Sequence, residues 1–234
     1  MGSDNIFHKR KARSQKENER KAASRKPYDR VLIVCEGEKT EPIYFEEARL
    51  EWEIDSANIE IDGSCGSSPI SVVKHSETLF NSELCSGNGY DKVFCVFDRD
   101  THETFDEAIL KVENINKDLV KQKLCNSNSS TFTAIYSIPS FEYWLLLHYS
   151  PSTKPYNYTQ RKSVGDQVID DLKVYLPDYK KTQRGLFKIL LDEGLLDGAL
   201  AHSDRILQSA TRSQNMNPCT NIHELIKYLR DIKT

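Results

Sequence analysis

Apolar and polar positions alternate between two rhythms along the first two thirds of the chain. Val31-Leu32-Ile33-Val34-Cys35 is a continuous, β-branched apolar run ending in Glu36-Gly37, the pattern of a strand buried on both faces, for which a parallel sheet is the natural host. Thr40 or Glu41 can cap a following helix, with Pro42 in its first turn and Ile43, Tyr44, Phe45, Ala48 and Trp52 as its apolar side through about residue 53. Asn58-Ile59-Glu60-Ile61-Asp62 alternates as a strand, Gly63 to Ser68 is a loop, and Ser68-Pro69 opens a helix carrying Ile70, Val73, Leu79 and Phe80. Gly87-Asn88-Gly89 breaks the chain before a second buried-strand run, Val93-Phe94-Cys95-Val96-Phe97, which ends at Asp98-Arg99-Asp100. A helix over 103–124, a fourth strand at Phe132-Thr133-Ala134-Ile135-Tyr136, and a helix from Phe141 to Tyr149 capped by Ser140 complete the series. Strands alternating with helices predict an α/β fold, a doubly wound parallel sheet of about four strands. After Pro151 the strand patterns stop, and 165–176, 183–192, 197–212 and 219–232 read as helices.

This divides the 234 residues into an arm (1–27), an α/β core (28–150) and a helical annex packed on it (151–234). The arm has few apolar side chains. Residues 8–30 carry ten Lys or Arg against three acids, a balance of +7, whereas residues 31–234 carry −9 within a net charge of −3. Such an arm can bind phosphates by counterion release or remain a solvated tail. No run of ~18 apolar residues occurs and the N-terminus is charged, so neither a membrane span nor a secretory signal is indicated and a cytoplasmic location is expected. The six cysteines form no Cys-x-x-Cys pair, so no disulfide and no structural zinc are expected.

In an open α/β sheet, ligands bind beyond the carboxyl ends of the strands, and two of these ends are acidic. Glu36 follows the first strand; Asp98 and Asp100 follow the third at a spacing that, in extended backbone, turns both carboxylates to one side. Hard cations such as Mg²⁺, with Mn²⁺ as a substitute, take oxygen ligands of this kind and leave the remaining positions to water and phosphate. A third carboxylate then serves as general acid/base or as ligand to a second ion. Glu142, one turn into the helix after the fourth strand, adds a carboxylate to the site or answers the positive helix N-terminus. We take Glu36, Asp98, Asp100 and Glu142 as both the catalytic and the metal-binding set.

Glu38 and Glu41 read as loop charge and helix N-terminal acid, or as further metal contacts, and Lys39 can reach a phosphate. His148 falls on a different helical face from Glu142 at ~3.6 residues per turn and reads as a packed histidine. Arg99 should point away from its flanking aspartates, and His102 continues their spacing without a strong claim to metal ligation. In the annex, Lys154, Arg161, Lys162, Lys180, Lys181, Arg184, Lys188 and Arg212 are interleaved with Tyr156, Tyr158, Tyr175 and Tyr179. That mixture suits a groove tracking phosphates with bases stacked on rings, or amphipathic helices with solvated charges.

An apolar strand ending in Glu-Gly and a later one ending in Asp-x-Asp resemble the Toprim domain of topoisomerases, primases and overcoming-lysogenisation-defect nucleases. The longer blocks Val34 to Phe45, Phe97-Asp98-Arg99-Asp100, Ser140 to His148 and Asn217-Pro218-Cys219-Thr220 are similar to the RloB family, with Cys219 where that family has Ser. The resemblance spans about residues 28–230. It implies a Toprim core in which Glu36 is the acid/base and Asp98 and Asp100 bind Mg²⁺. It also implies a nucleic-acid substrate, DNA or RNA including tRNA, and a role as effector nuclease in anti-phage abortive infection with a partner ATPase, since members are encoded beside ATPase genes. The alternatives are a non-catalytic, metal-stabilised adaptor of such an ATPase, and a haloacid-dehalogenase-like phosphatase using Asp98 as nucleophile.

Overall fold

The computed structural model describes residues 29–100, 103–122, 124 and 131–232. Strands β1 (Val31–Cys35), β2 (Ile59–Asp62), β3 (Lys92–Asp98), β4 (Phe132–Ile138) and β5 (Cys219–Thr220) form one sheet in the order β2-β1-β3-β4-β5. The first four pair in parallel, with Val34 opposite both Asp62 and Cys95. Every residue of β1 is fully buried, as its unbroken apolar run requires of a strand covered on both faces.

Helices α1 (Thr40–Glu51), α2 (Pro69–Ser86) and α3 (Phe105–Lys121) make the crossovers. The step from β1 to β2 runs one way across the sheet, and those from β2 to β3 and β3 to β4 run the other way. Right-handed crossovers therefore put α1 on one face and α2 and α3 on the opposite one. The packing agrees: α2 lies against α3, β1 and β3, while α1 packs on β2 and on an annex helix. The reversal of direction falls between β1 and β3, and it opens a crevice at their carboxyl ends.

The remaining helices are α4 (Glu142–Leu146), α5 (Val164–Leu172), α6 (Leu186–Asp192), α7 (Leu196–Ser213) and α8 (Ile222–Asp231). They share one continuous hydrophobic cluster with the sheet. Phe187 of α6 meets Tyr44 of α1 and Trp52, just past its end, edge-on, each with ring centroids 5.1 Å apart. Tyr44 also packs edge-on against Phe141 and accepts a 2.9 Å hydrogen bond from the buried indole N–H of Trp144. This aromatic knot fixes the turn into α4.

Two expectations need correction. The strands do not stop at Pro151: β5 pairs antiparallel with β4, Ser137 opposite Thr220 and Ile138 opposite Cys219, so the sheet is mixed. A two-residue strand is too short to show any alternation, which is why it reads as the start of a helix. The segment after Ser140 is a single short helix followed by turns, and Ser140 does not cap it; its hydroxyl donates to Glu142 Oε2 instead, at 2.8 Å. Among the described residues no helix is long and apolar enough to cross a membrane.

Candidate active site

The first carboxylate is placed by the parallel ladder itself. Glu36 continues β1 for one residue by donating its N–H to Val96 O at 3.0 Å, and its Oε2 then accepts the N–H of Asp98 at 3.0 Å. Asp98, the last residue of β3, in turn accepts the N–H of Phe141 on Oδ2 at 3.1 Å, which couples the end of β3 to the start of α4. One residue further on, Glu142 is almost wholly buried. Ser140 holds one of its oxygens, and the Tyr179 hydroxyl donates to the other at 3.3 Å, with the Lys181 ammonium 3.4 Å away. Asp98 thus hangs from Glu36 on one side and from the Glu142 turn on the other.

All four expected residues, Glu36, Asp98, Asp100 and Glu142, line a cleft of about 620 Å³ at the switch point, together with Glu38, Lys39 and Glu41. Its far wall is the annex: Ser163, Gly165 and Asp166 at the start of α5, and Lys181. The start of α1 and the loop before α2 also open onto it, so the positive ends of three helices border an acidic floor.

Asp100 reaches the cleft by a route the extended-strand argument does not foresee. The strand ends at Asp98, and Asp100 lies in a turn with φ +33°, its N–H bonded to Pro139 O at 3.0 Å. Left-handed backbone is costly for a residue with a Cβ and recurs at functional sites. Arg99 points away, as expected, with its guanidinium over the Phe105 ring. His102 lies outside the described residues. His148 is a core histidine: it is buried, with Nδ1 hydrogen-bonded to Trp144 O, and burial lowers its pKa to about 4.

Charge crowding dominates the electrostatics. Burial, then the charges of Glu41, Glu142 and Glu36, raises the Asp98 pKa well above the carboxylate range. Glu41 is buried in the first turn of α1 and is raised to about 7, by burial first and then by Glu142 and Glu36. Burial pulls the Lys181 ammonium down, but Glu142, Asp98 and Glu41 more than offset it. Several carboxylates around one ammonium make a strongly negative, partly dry pocket, a donor set of hard oxygens that fits a small divalent cation. Among the described residues no group of three or more His, Cys, Asp or Glu side chains is placed to hold a metal ion. Hard-oxygen donors of this kind suit a hydrated cation such as Mg²⁺, which takes one or two protein carboxylates.

Sequence reasoning undervalued Glu41 and left out Ser140, Tyr179 and Lys181 as partners of Glu142. A helix N-terminal acid is common, so nothing local marked Glu41 as buried beside the site. Tyr179 and Lys181 arrive through the fold-back between α5 and α6, which local patterning does not encode. The annex groove also needs revision. Tyr156 and Tyr179 are core residues, Lys154 and Lys162 are ion-paired with Asp171 and Asp170, and Tyr175 stacks on Tyr149. Tyr158 and Arg161 remain open to solvent.

No curated protein and no solved structure matches the chain. A family model described as RloB-like protein matches residues 31–229.

Proposed function

The chain belongs to the RloB-like family, and on that premise we propose that it is a Mg²⁺-dependent nuclease of the Toprim type, acting in the cytoplasm as an anti-phage effector with a partner ATPase. The observation that carries the reading is the meeting of Glu36, Asp98 and Glu142 at the switch point of the parallel sheet, in a cleft with helix N-termini and lysines on its rim. Asp98 and Asp100 would hold the metal, with Glu36 and Glu142 bordering them in the same cleft. When bound, Mg²⁺ (or Mn²⁺) neutralises charge on the scissile phosphate and lowers the pKa of water.

The chain's own residues supply the rest. Glu36 receives a proton from the attacking water or returns one to the leaving oxygen, and the Asp98 N–H on its Oε2 fixes its orientation. Ser140, Tyr179 and Lys181 hold both oxygens of Glu142. Lys39 and Lys181 meet the phosphate from the rim. A phosphatase using Asp98 as nucleophile is disfavoured, because in that class the Asp-x-Asp ends the first core strand, whereas here it stands at the end of β3.

One experiment separates these readings. Purified wild type, Glu36→Gln and Asp98→Asn are incubated with plasmid, single-stranded DNA and total tRNA, with Mg²⁺, Mn²⁺ or chelator, and with or without the neighbouring ATPase. Metal-dependent cleavage that falls at least ~100-fold in both variants is expected. Cleavage unchanged in the variants sinks this site. No cleavage under any condition, with ATPase binding intact, leaves the adaptor. Vigorous cleavage by the isolated protein argues against control by a partner.

A further inference from the structure

The annex wall of the cleft is led in by a tight turn over residues 157–163. Thr159 and Lys162 bridge across it: the Thr159 hydroxyl contacts both the N–H and the carbonyl of Lys162 at 3.2 Å. The Gln167 amide donates at 2.8 Å to Asn157 O and lies 3.3 Å from Ser163 O, so the two ends of the turn are held side by side. Lys162 is tied to Asp170, and the buried Tyr156 and Val164 anchor the flanks. A firmly pinned turn therefore carries Tyr158 at 71% exposure, next in sequence to Asn157, whose carbonyl shares the Gln167 amide with that of the cleft-lining Ser163. Arg161, at its tip, is exposed and has no ion-pair partner among the described residues.

Space limits what can enter. A cleft of about 620 Å³, walled on one side by the strand ends and on the other by α5 and Lys181, is the size of pockets that take a compact ligand. It has room for one or two nucleotides. A nucleotide that enters it does so unpaired, as part of a single strand or drawn out of the stack. An unpaired base then needs a flat apolar surface, and a rigid exposed ring beside a cation is what single-strand binders provide.

We propose that the 157–163 turn is the lip on which an unpaired base of a single-stranded nucleic acid stacks, through Tyr158, as its backbone passes Arg161 into the cleft. The proposal rests on the nuclease reading for its substrate class but concerns binding, so it is tested without turnover. Fluorescence anisotropy is measured with short labelled single-stranded DNA, single-stranded RNA and the matching duplex, with Ca²⁺ replacing Mg²⁺. The proteins are wild type, Tyr158→Ala and Tyr158→Trp, their folding checked by thermal melting. Single strands should bind tighter than duplex, Tyr158→Ala should weaken them about tenfold, and Tyr158→Trp should keep wild-type affinity. Unchanged single-strand affinity in Tyr158→Ala, or tighter binding of duplex, overturns the proposal. Cleavage assays on the same variants keep the two readings apart. Tyr158-dependent binding with no cleavage under any condition refutes the nuclease and leaves the lip; cleavage undiminished in Tyr158→Ala refutes the lip and leaves the nuclease.

Discussion

Replacing Glu41 by glutamine should stabilise the metal-free protein in alkaline solution and leave it unchanged in acid. Glu41 is 8% exposed, and its folded pKa is raised from the ordinary value of 4.5 to about 7, chiefly by burial. Between those values the folded chain holds a proton that the unfolded chain has lost. The folded state then binds more protons, and stability falls as pH rises through the folded pKa. At about 1.36 kcal/mol per pH unit, the gap from 4.5 to 7 amounts to ~3 kcal/mol. Glutamine resembles the neutral acid in shape and never ionises. Thermal unfolding in chelator should therefore show Glu41→Gln melting above wild type by up to roughly 10 °C near pH 8, and level with it near pH 4. Adding Mg²⁺ should narrow the alkaline gap by lifting the wild type. Equal melting near pH 8, or a gain of the same size at both pH values, would refute the crowded-carboxylate account; the second result would signal a packing effect.

Gly63 opens the loop after β2, in close contact with the Glu36 loop. A Cβ there would lie 2.6 Å from Gly37 O and 3.0 Å from Glu38 Cα, so Gly63→Ala must displace backbone. It should cost about 1–3 kcal/mol in urea unfolding and lower cleavage well beyond what that loss explains; wild-type cleavage in Gly63→Ala would show that Glu36 tolerates movement. Tyr44→Phe removes the acceptor for the buried Trp144 N–H and should cost about 1–3 kcal/mol by chemical denaturation. A neutral result would mean that water or another acceptor replaces it.

Much of this molecule is legible in its residues. The runs Val31 to Cys35 and Val93 to Phe97 announce buried parallel strands because strands covered on both faces have no polar side to show. The residue next after such a run sits by geometry at the ligand-binding edge, and that suffices to bring Glu36 and Asp98 together. Glu142 is harder, since its burial depends on Tyr179 and Lys181, contributed from nearly forty residues further along. Asp100 lines the cleft, as expected, but through a left-handed turn that a period-two argument cannot supply. Burial also separates Tyr156 from Tyr158, two residues apart in sequence, one a core ring and the other solvent-facing. Composition treats them alike.

The free edge of β4 is closed by residues 219–221. Beyond the β5 pairing, the Asn221 side chain accepts the Tyr136 N–H at 2.6 Å and donates to Ala134 O at 2.9 Å, standing in for another strand. On the ribosome the carboxylates of the cleft emerge long before this seal does. A nascent chain paused after α7 therefore offers a row of open backbone groups to any neighbour, the usual starting point for edge-to-edge association. An early stop codon between Ser213 and Cys219 yields a product that keeps Glu36, Asp98, Asp100 and Glu142 yet lacks its seal. Such a product also lacks the buried Ile222, Leu225, Ile226 and Leu229 of α8, and should be lost through aggregation although its carboxylates are intact.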